Sequence, residues 1–227
     1  MKLQTMCMVL AVATAGLLGS AEASANLLLN PGFELPDLLP PNNQAPGADN
    51  WTTFNIAGVR TIQQHSGDQS LRLAPDAPTG TNHGIARQEF AASANDVLTF
   101  GAWVLNPSSD PLTGTRQAEL RVQWLNASNV LINQTILKVA DANTPQDLWI
   151  NWNLVELTLP NNPNIVKVWP SLFVTNNGGT GGGVAFFDDV QFLNLTANPP
   201  ATIPEPASLG LLGLGGLALA SGRNRNR

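Results

Sequence analysis

Gln117–Leu125, QAELRVQWL, alternates polar and apolar residues along its whole length. Successive side chains of an extended strand point to opposite faces. Ala118, Leu120, Val122 and Trp124 therefore share one face, and Gln117, Glu119, Arg121 and Gln123 the other. A period of two with a single apolar face predicts a half-buried antiparallel strand. Working outward, further strands are predicted at Ser70–Leu73, Gly84–Phe90, Val97–Leu105, Val130–Val139, Asn151–Leu159, Ile165–Thr175 and Val184–Leu193. Turn-rich pieces separate them: Asn106–Thr115, Asp141–Asp147, Asn161–Pro163 and Asn176–Gly183. No stretch shows a 3.6-residue period. Many short strands at this spacing predict an all-β fold, a single antiparallel β-sandwich or jelly roll.

The two ends read differently from the middle. Residues 1–25 carry one positive charge, Lys2, then an apolar run from Met6 to Leu18, then small residues that include Ala21-Glu22-Ala23 and Ala23-Ser24-Ala25. The apolar run falls short of the ~20 residues that span a bilayer, so the segment is expected to be a signal peptide cut by signal peptidase. The single cysteine, Cys7, lies within it, so the mature domain is expected to have no disulfide although export would permit one. The domain itself is assigned to residues 26–193. It is followed by a polar, proline-containing linker over 194–202. Between Asn26 and Pro200, 14 carboxylates face seven cations, and a net charge of −7 argues against nucleic acid or an anionic membrane surface as partner.

Residues 203–227 combine Pro204-Glu205-Pro206, an apolar stretch from Leu209 to Ala220, and a tail with Arg223, Arg225 and Arg227. Ala207–Ala220 would make a helix of about 21 Å, short of a hydrocarbon core of about 30 Å. The arginines would stay on the cytoplasmic side. This arrangement resembles the PEP-CTERM sorting signal. The resemblance implies a protein of a Gram-negative cell, held transiently in the inner membrane by the short helix. An exosortase would then pass it to the cell surface or the extracellular matrix. A permanent tail anchor is the alternative.

A second resemblance runs through the domain. Asn26-Leu27-Leu28-Leu29-Asn30-Pro31-Gly32-Phe33-Glu34, then Asn50-Trp51, His65-Ser66-Gly67-Asp68-Gln69-Ser70-Leu71, Leu98–Val104 and Phe186-Phe187-Asp188-Asp189-Val190 follow in order. Together they resemble carbohydrate-binding modules with a galactose-binding-like jelly roll, Asn26–Glu34 being the opening strand. Pro31 stands where such modules usually have glycine. That substitution removes a backbone donor and is expected to shift the turn.

In Val184–Leu193 the apolar phase of Val184, Phe186, Val190 and Phe192 also contains Asp188. A buried carboxylate needs a partner, and Glu34, beside Phe33, poses the same question. Either turn amides satisfy both, or a calcium ion does, since calcium takes six to eight oxygen ligands. The resemblance implies a structural calcium held by Glu34, the Gly32 carbonyl, carbonyls of Ser66–Gln69, and Asp188.

Of the six tryptophans, Trp51, Trp103 and Trp124 are expected in the core. Trp169 alternates with Ile165, Lys167 and Ser171 against Val166, Val168, Leu172 and Val174, which predicts an exposed ring. With Lys167, Arg121, Gln123, Glu119 and Arg87 it would form a sugar-binding sheet face. A wet face without a ligand is the competing reading. The two histidines, His65 and His83, sit in loops, and no nucleophile elbow, zinc helix or phosphate loop is present. The expectation is an exported, non-catalytic protein that binds polysaccharide. A structural matrix protein without a ligand, or a paired-carboxylate glycosidase, are the rivals.

Overall fold

The computed structural model describes residues 25–38, 44–80 and 82–196. The signal peptide, the C-terminal apolar helix and most of the linker expected from the sequence lie outside these residues. In chain order the strands are β1 (Gln44–Pro46), β2 (Thr52–Phe54), β3 (Ile56–Arg60), β4 (Ser70–Ala74), β5 (His83–Arg87), β6 (Phe90–Ala91), β7 (Val97–Leu105), β8 (Gln117–Leu125), β9 (Leu131–Ala140), β10 (Ile150–Thr158), β11 (Lys167–Thr175) and β12 (Ala185–Asn194). One sheet has the order β1-β3-β4-β12-β7-β10, the other β2-β5-β11-β8-β9 with β6 beside β11. Every strand pair is antiparallel, and no helix occurs among the described residues. We call these sheets A and B.

The alternating faces meet as the pattern requires. Ala118, Leu120, Val122 and Trp124 of β8 join Val168, Leu172 and Val174 of β11 on the inner side of sheet B. Opposite them stand Leu71 and Leu73 of β4, Phe187, Val190 and Phe192 of β12, and Leu98, Phe100, Ala102 and Val104 of β7. A buried aliphatic or aromatic side chain contributes roughly 1.5–3 kcal/mol, so this one layer dominates the stability of the sandwich.

The segment expected as an opening strand forms no strand. Asn26–Glu34 instead crosses the gap between the sheets. Leu27 N donates to Phe192 O on sheet A, while Gln88 brackets Leu29 by accepting from its amide at 3.1 Å and donating to its carbonyl at 2.6 Å. Leu28 and Phe33 are thereby carried into the core. Pro31 leaves the turn intact. Phe33 N reaches Asn30 O across it, the Asn30 side chain ties down Leu35 and Asp49, and Pro31 O accepts from Val190 N. Proline suits the second position of such a turn, where its fixed φ is already the one needed.

Candidate functional site

Asp188 is fully buried, but not on the face its spacing indicates. The pairing of β12 with β7 shifts between Asp188 and Gln191, and Asp189 takes a left-handed φ of 45°. Such a bulge reverses the phase of the strand. Phe187, Val190 and Phe192 point into the core, while Phe186 and Val184 belong to a small outer cluster with Ala74, Leu105 and Trp149. The carboxylate is covered instead by the loop before β4. His65 N and Ser66 N donate to its Oδ2 at 2.8 and 3.1 Å, and Asp189 N donates to Oδ1 at 2.7 Å.

The same loop closes on Glu34. Asp68 N reaches both of its carboxylate oxygens, and Gln69 N reaches Oε1. Gly67 makes this approach feasible. Its φ is 60°, and a Cβ there would collide with Glu34 Oε1. Gly32 lies between the two acids: a Cβ on it would stand 3.8 Å from Asp188 Oδ1, Asp189 Oδ1 and Glu34 Cγ alike. The three residues predicted for calcium thus come together.

Their chemistry suits a hard cation in part. The side chains offer oxygen only, and Gln69 Oε1 is buried without a hydrogen-bond partner among the described residues. Among those residues no group of three or more His, Cys, Asp and Glu side chains is arranged to hold a metal, so main-chain oxygens would have to complete the shell. Both carboxylates already accept amide protons, which is the other arrangement the sequence allows.

Burial is the main influence on Asp188 and pushes its carboxyl from 3.8 up to about 6, against the opposing pull of the Ser66, His65 and Asp189 amides. The folded chain therefore holds this proton more tightly than the unfolded one. Its contribution is complete below about pH 4 and is lost as pH rises through 6, on the order of 2 kcal/mol in all. Denaturation in chelator should show wild type losing about that much relative to Asp188→Asn between pH 4 and 7. A constant difference would contradict the raised carboxyl.

His65 is more than a turn residue. Its ring stacks on Trp103 with centroids 3.8 Å apart, meets Trp149 edge-on at 5.8 Å, and its Nδ1 lies 2.6 Å from Asp189 Oδ2. Trp103, expected in the core, is half-buried on the outer side of sheet A, because it alternates with the inward Ala102 and Val104. Trp51 and Trp124 are in the core as expected. Ser66 Oγ donates to Asp189 Oδ1 at 2.7 Å rather than to His65, so the serine-to-imidazole bond that activates a nucleophile is not formed.

On the outer side of sheet B, the register sets Gln123 opposite Trp169, and both Arg121 and Arg87 opposite Ser171. All six residues predicted for sugar binding share this side. It is less wet than the alternation suggests, because the side chains lie over one another. The Arg87 guanidinium sits 3.6 Å from the centre of the Trp169 ring, and Arg121 sits 3.9 Å from that of Phe173. Glu119 is only 2% exposed, bonded to Arg121 and Gln117. Trp169 is half-buried rather than exposed, with Nε1 donating to Glu89 at 2.8 Å. Lys167 bonds Glu89 and Asn129. The Trp169 and Lys167 hydrogen bonds hold the Glu89 carboxyl below its usual range.

Residues 202–226 match the family model described as the PEP-CTERM protein-sorting motif. The chain therefore carries an exosortase sorting signal. The PEP-CTERM tail marks an exported protein sorted to the cell surface. No curated protein matches the sequence significantly. Among solved structures, the sandwich is similar to the TmCBM61 module in complex with β-1,4-galactotriose, at 16% identity, 75% of this chain, 99% of that one and a TM-score of 0.43. It is also similar to the CBM22-1 xylan-binding domain of Xyn10C from Paenibacillus barcinonensis, at 12% identity, 76% and 96% coverage and a TM-score of 0.46. An apo cyclase from Fischerella sp. gives 13%, 74%, 94% and 0.49. A fold does not by itself fix an activity, and function must be argued from the surface.

Proposed function

We propose that this PEP-CTERM protein is a non-catalytic surface protein that binds polysaccharide on the outer side of sheet B. One observation carries the reading: Trp169, Arg87, Arg121, Gln123, Glu119 and Lys167 share a face across adjacent strands. An indole capped by one guanidinium, with a planar amide and a second guanidinium on the same face, offers planar surfaces and hydrogen-bonding groups to a sugar ring, which has an apolar C–H face and hydroxyls at its rim. Signal peptidase releases the N-terminus. The short C-terminal segment holds the chain in the inner membrane until the exosortase acts. Calcium, bound by Glu34, Asp188 and the Gly32 carbonyl, supplies positive charge to two carboxylates and so fixes the loop before β4.

The mutual pairing of the charged groups on this face favours one rival, a matrix protein with no ligand. Titration of the protein with soluble polysaccharides, before and after Trp169→Ala, decides between them. Binding that weakens by about tenfold or more in the variant supports the site, while equal binding removes it from sheet B. Calcium should raise the melting temperature above that in chelator and abolish the loss of stability that Asp188 causes as pH rises through about 6. Identical melting with calcium and with chelator would leave the amides as the sole partners of Glu34 and Asp188.

A further inference from the structure

The outer side of sheet A carries a recess that the function proposed above does not use. Across β12, β7 and β10 the register sets Gln191 opposite Gly101 and Gly101 opposite Asn153. The middle of this row has no side chain, while both flanks do. In the next row Trp103 stands opposite Asn151. The resulting hollow has a volume of about 310 Å³ and is lined by these five residues and Asp189, together with Asn26 and Pro31. Glycine at its floor lets the Asn153 side chain lean over it: a Cβ on Gly101 would run into the Asn153 amide and stand 3.0 Å from Trp152 O.

The wall of the recess is already fixed. His65 stacks on Trp103, and Asp189 holds His65. Asn153 Nδ2 donates to Asn151 Oδ1 at 2.7 Å, which orients both amides. The Gln191 amide is exposed at the opposite flank. Charge narrows the choice of ligand. Among the described residues no lysine or arginine lines the hollow, so an anion finds no counter-charge there. The one carboxylate among the described lining residues is engaged by His65 Nδ1 and Ser66 Oγ, so a cation finds no unengaged carboxylate. What remains is a set of neutral amides beside an indole, at the small end of the size range for ligand pockets. Primary amides donate and accept in one plane, as vicinal hydroxyls do, and an indole packs against the C–H face of a sugar.

We infer that this recess is a second carbohydrate site, taking one neutral pyranose residue of a polysaccharide. It lies on the opposite outer side of the sandwich from Trp169. A chain with both sites therefore grips two polysaccharide strands at once and cross-links them. The inference does not depend on the Trp169 face, and its test is made with that face disabled. The full chain carrying Trp169→Ala, kept in a non-glycosidic detergent, is titrated with β-1,4-linked trioses of glucose, xylose and galactose. Saturation-transfer NMR and calorimetry give the readout. Binding of at least one triose is expected, weakened by about tenfold or more when Asn153→Ala and Gln191→Ala are added. Both side chains are exposed, and the melting temperature should stay unchanged. No triose bound in the Trp169→Ala chain, or equal affinity after the two further changes, would overturn the proposal.

Discussion

Asp188→Ala is expected to destabilise the domain by about 3 kcal/mol at neutral pH. The substitution strands the amides of His65, Ser66 and Asp189, all of which end on this carboxylate. Each buried donor left unpaired costs about 1–3 kcal/mol. Part of the sum is offset, because removing a buried carboxylate also removes its desolvation cost, on the order of 2 kcal/mol at neutral pH. Water reaching the loop offsets more. For a domain of this size, 3 kcal/mol lowers the melting temperature by roughly 10 °C. The loss should also be local in character. Amide exchange at His65 and Ser66 should rise by more than at the core strands, and the Trp103 stacking partner should loosen with it. A loss below about 1 kcal/mol, with those amides still protected, would show that the loop before β4 is held by something other than Asp188.

Phe33→Ala should cost still more, about 4 kcal/mol. The ring is fully buried and stands 5.1 Å from Trp51, so its removal opens a cavity under the segment that bridges the two sheets. Phe33 also has a left-handed φ of 59°, a conformation costing an L-residue roughly 1–2 kcal/mol, and burial of the ring is what offsets it. Alanine keeps the backbone cost and loses the burial. Trp51, which donates Nε1 to Asn30 O at 3.0 Å, should report the change as a shifted and broadened fluorescence. Denaturant titration reads the free energy directly. A cost under about 2 kcal/mol would mean that the bridge collapses onto the cavity.

How far the sequence reveals all this depends on the length of each pattern. β7 and β8 occupy Val97–Leu105 and Gln117–Leu125, the spans their alternation predicts, because nine residues give a period of two enough repeats to be seen. β1, β2 and β3 are only three to five residues long, and proline stands in β1 and glycine in β3, so no period can establish itself. The inward placement of Phe186 failed for a different reason. A bulge inserts one residue, and everything before it changes face. The adjacent pair Asp188-Asp189 inside an apolar strand was the visible sign of it.

The candidate sites divide along the same line. The polar side of β8 and β11 was legible residue by residue, since each strand declares its own two faces. Its self-pairing was not, because the stacking of Arg87 on Trp169 depends on β5 lying next to β11. The recess on sheet A was illegible for that reason too. Gly101, Asn153 and Gln191 belong to three strands far apart in the chain, and only the register makes them neighbours. Alone, each reads as an ordinary wet position.

The central claim is that the sandwich binds polysaccharide, and a glycan array probed with the purified, folded protein in the presence of calcium tests it most directly. Saturable binding to at least one polysaccharide class, competed by the soluble form of the same sugar, is the result the account predicts. A folded protein that melts cooperatively and binds no glycan on the array would contradict it.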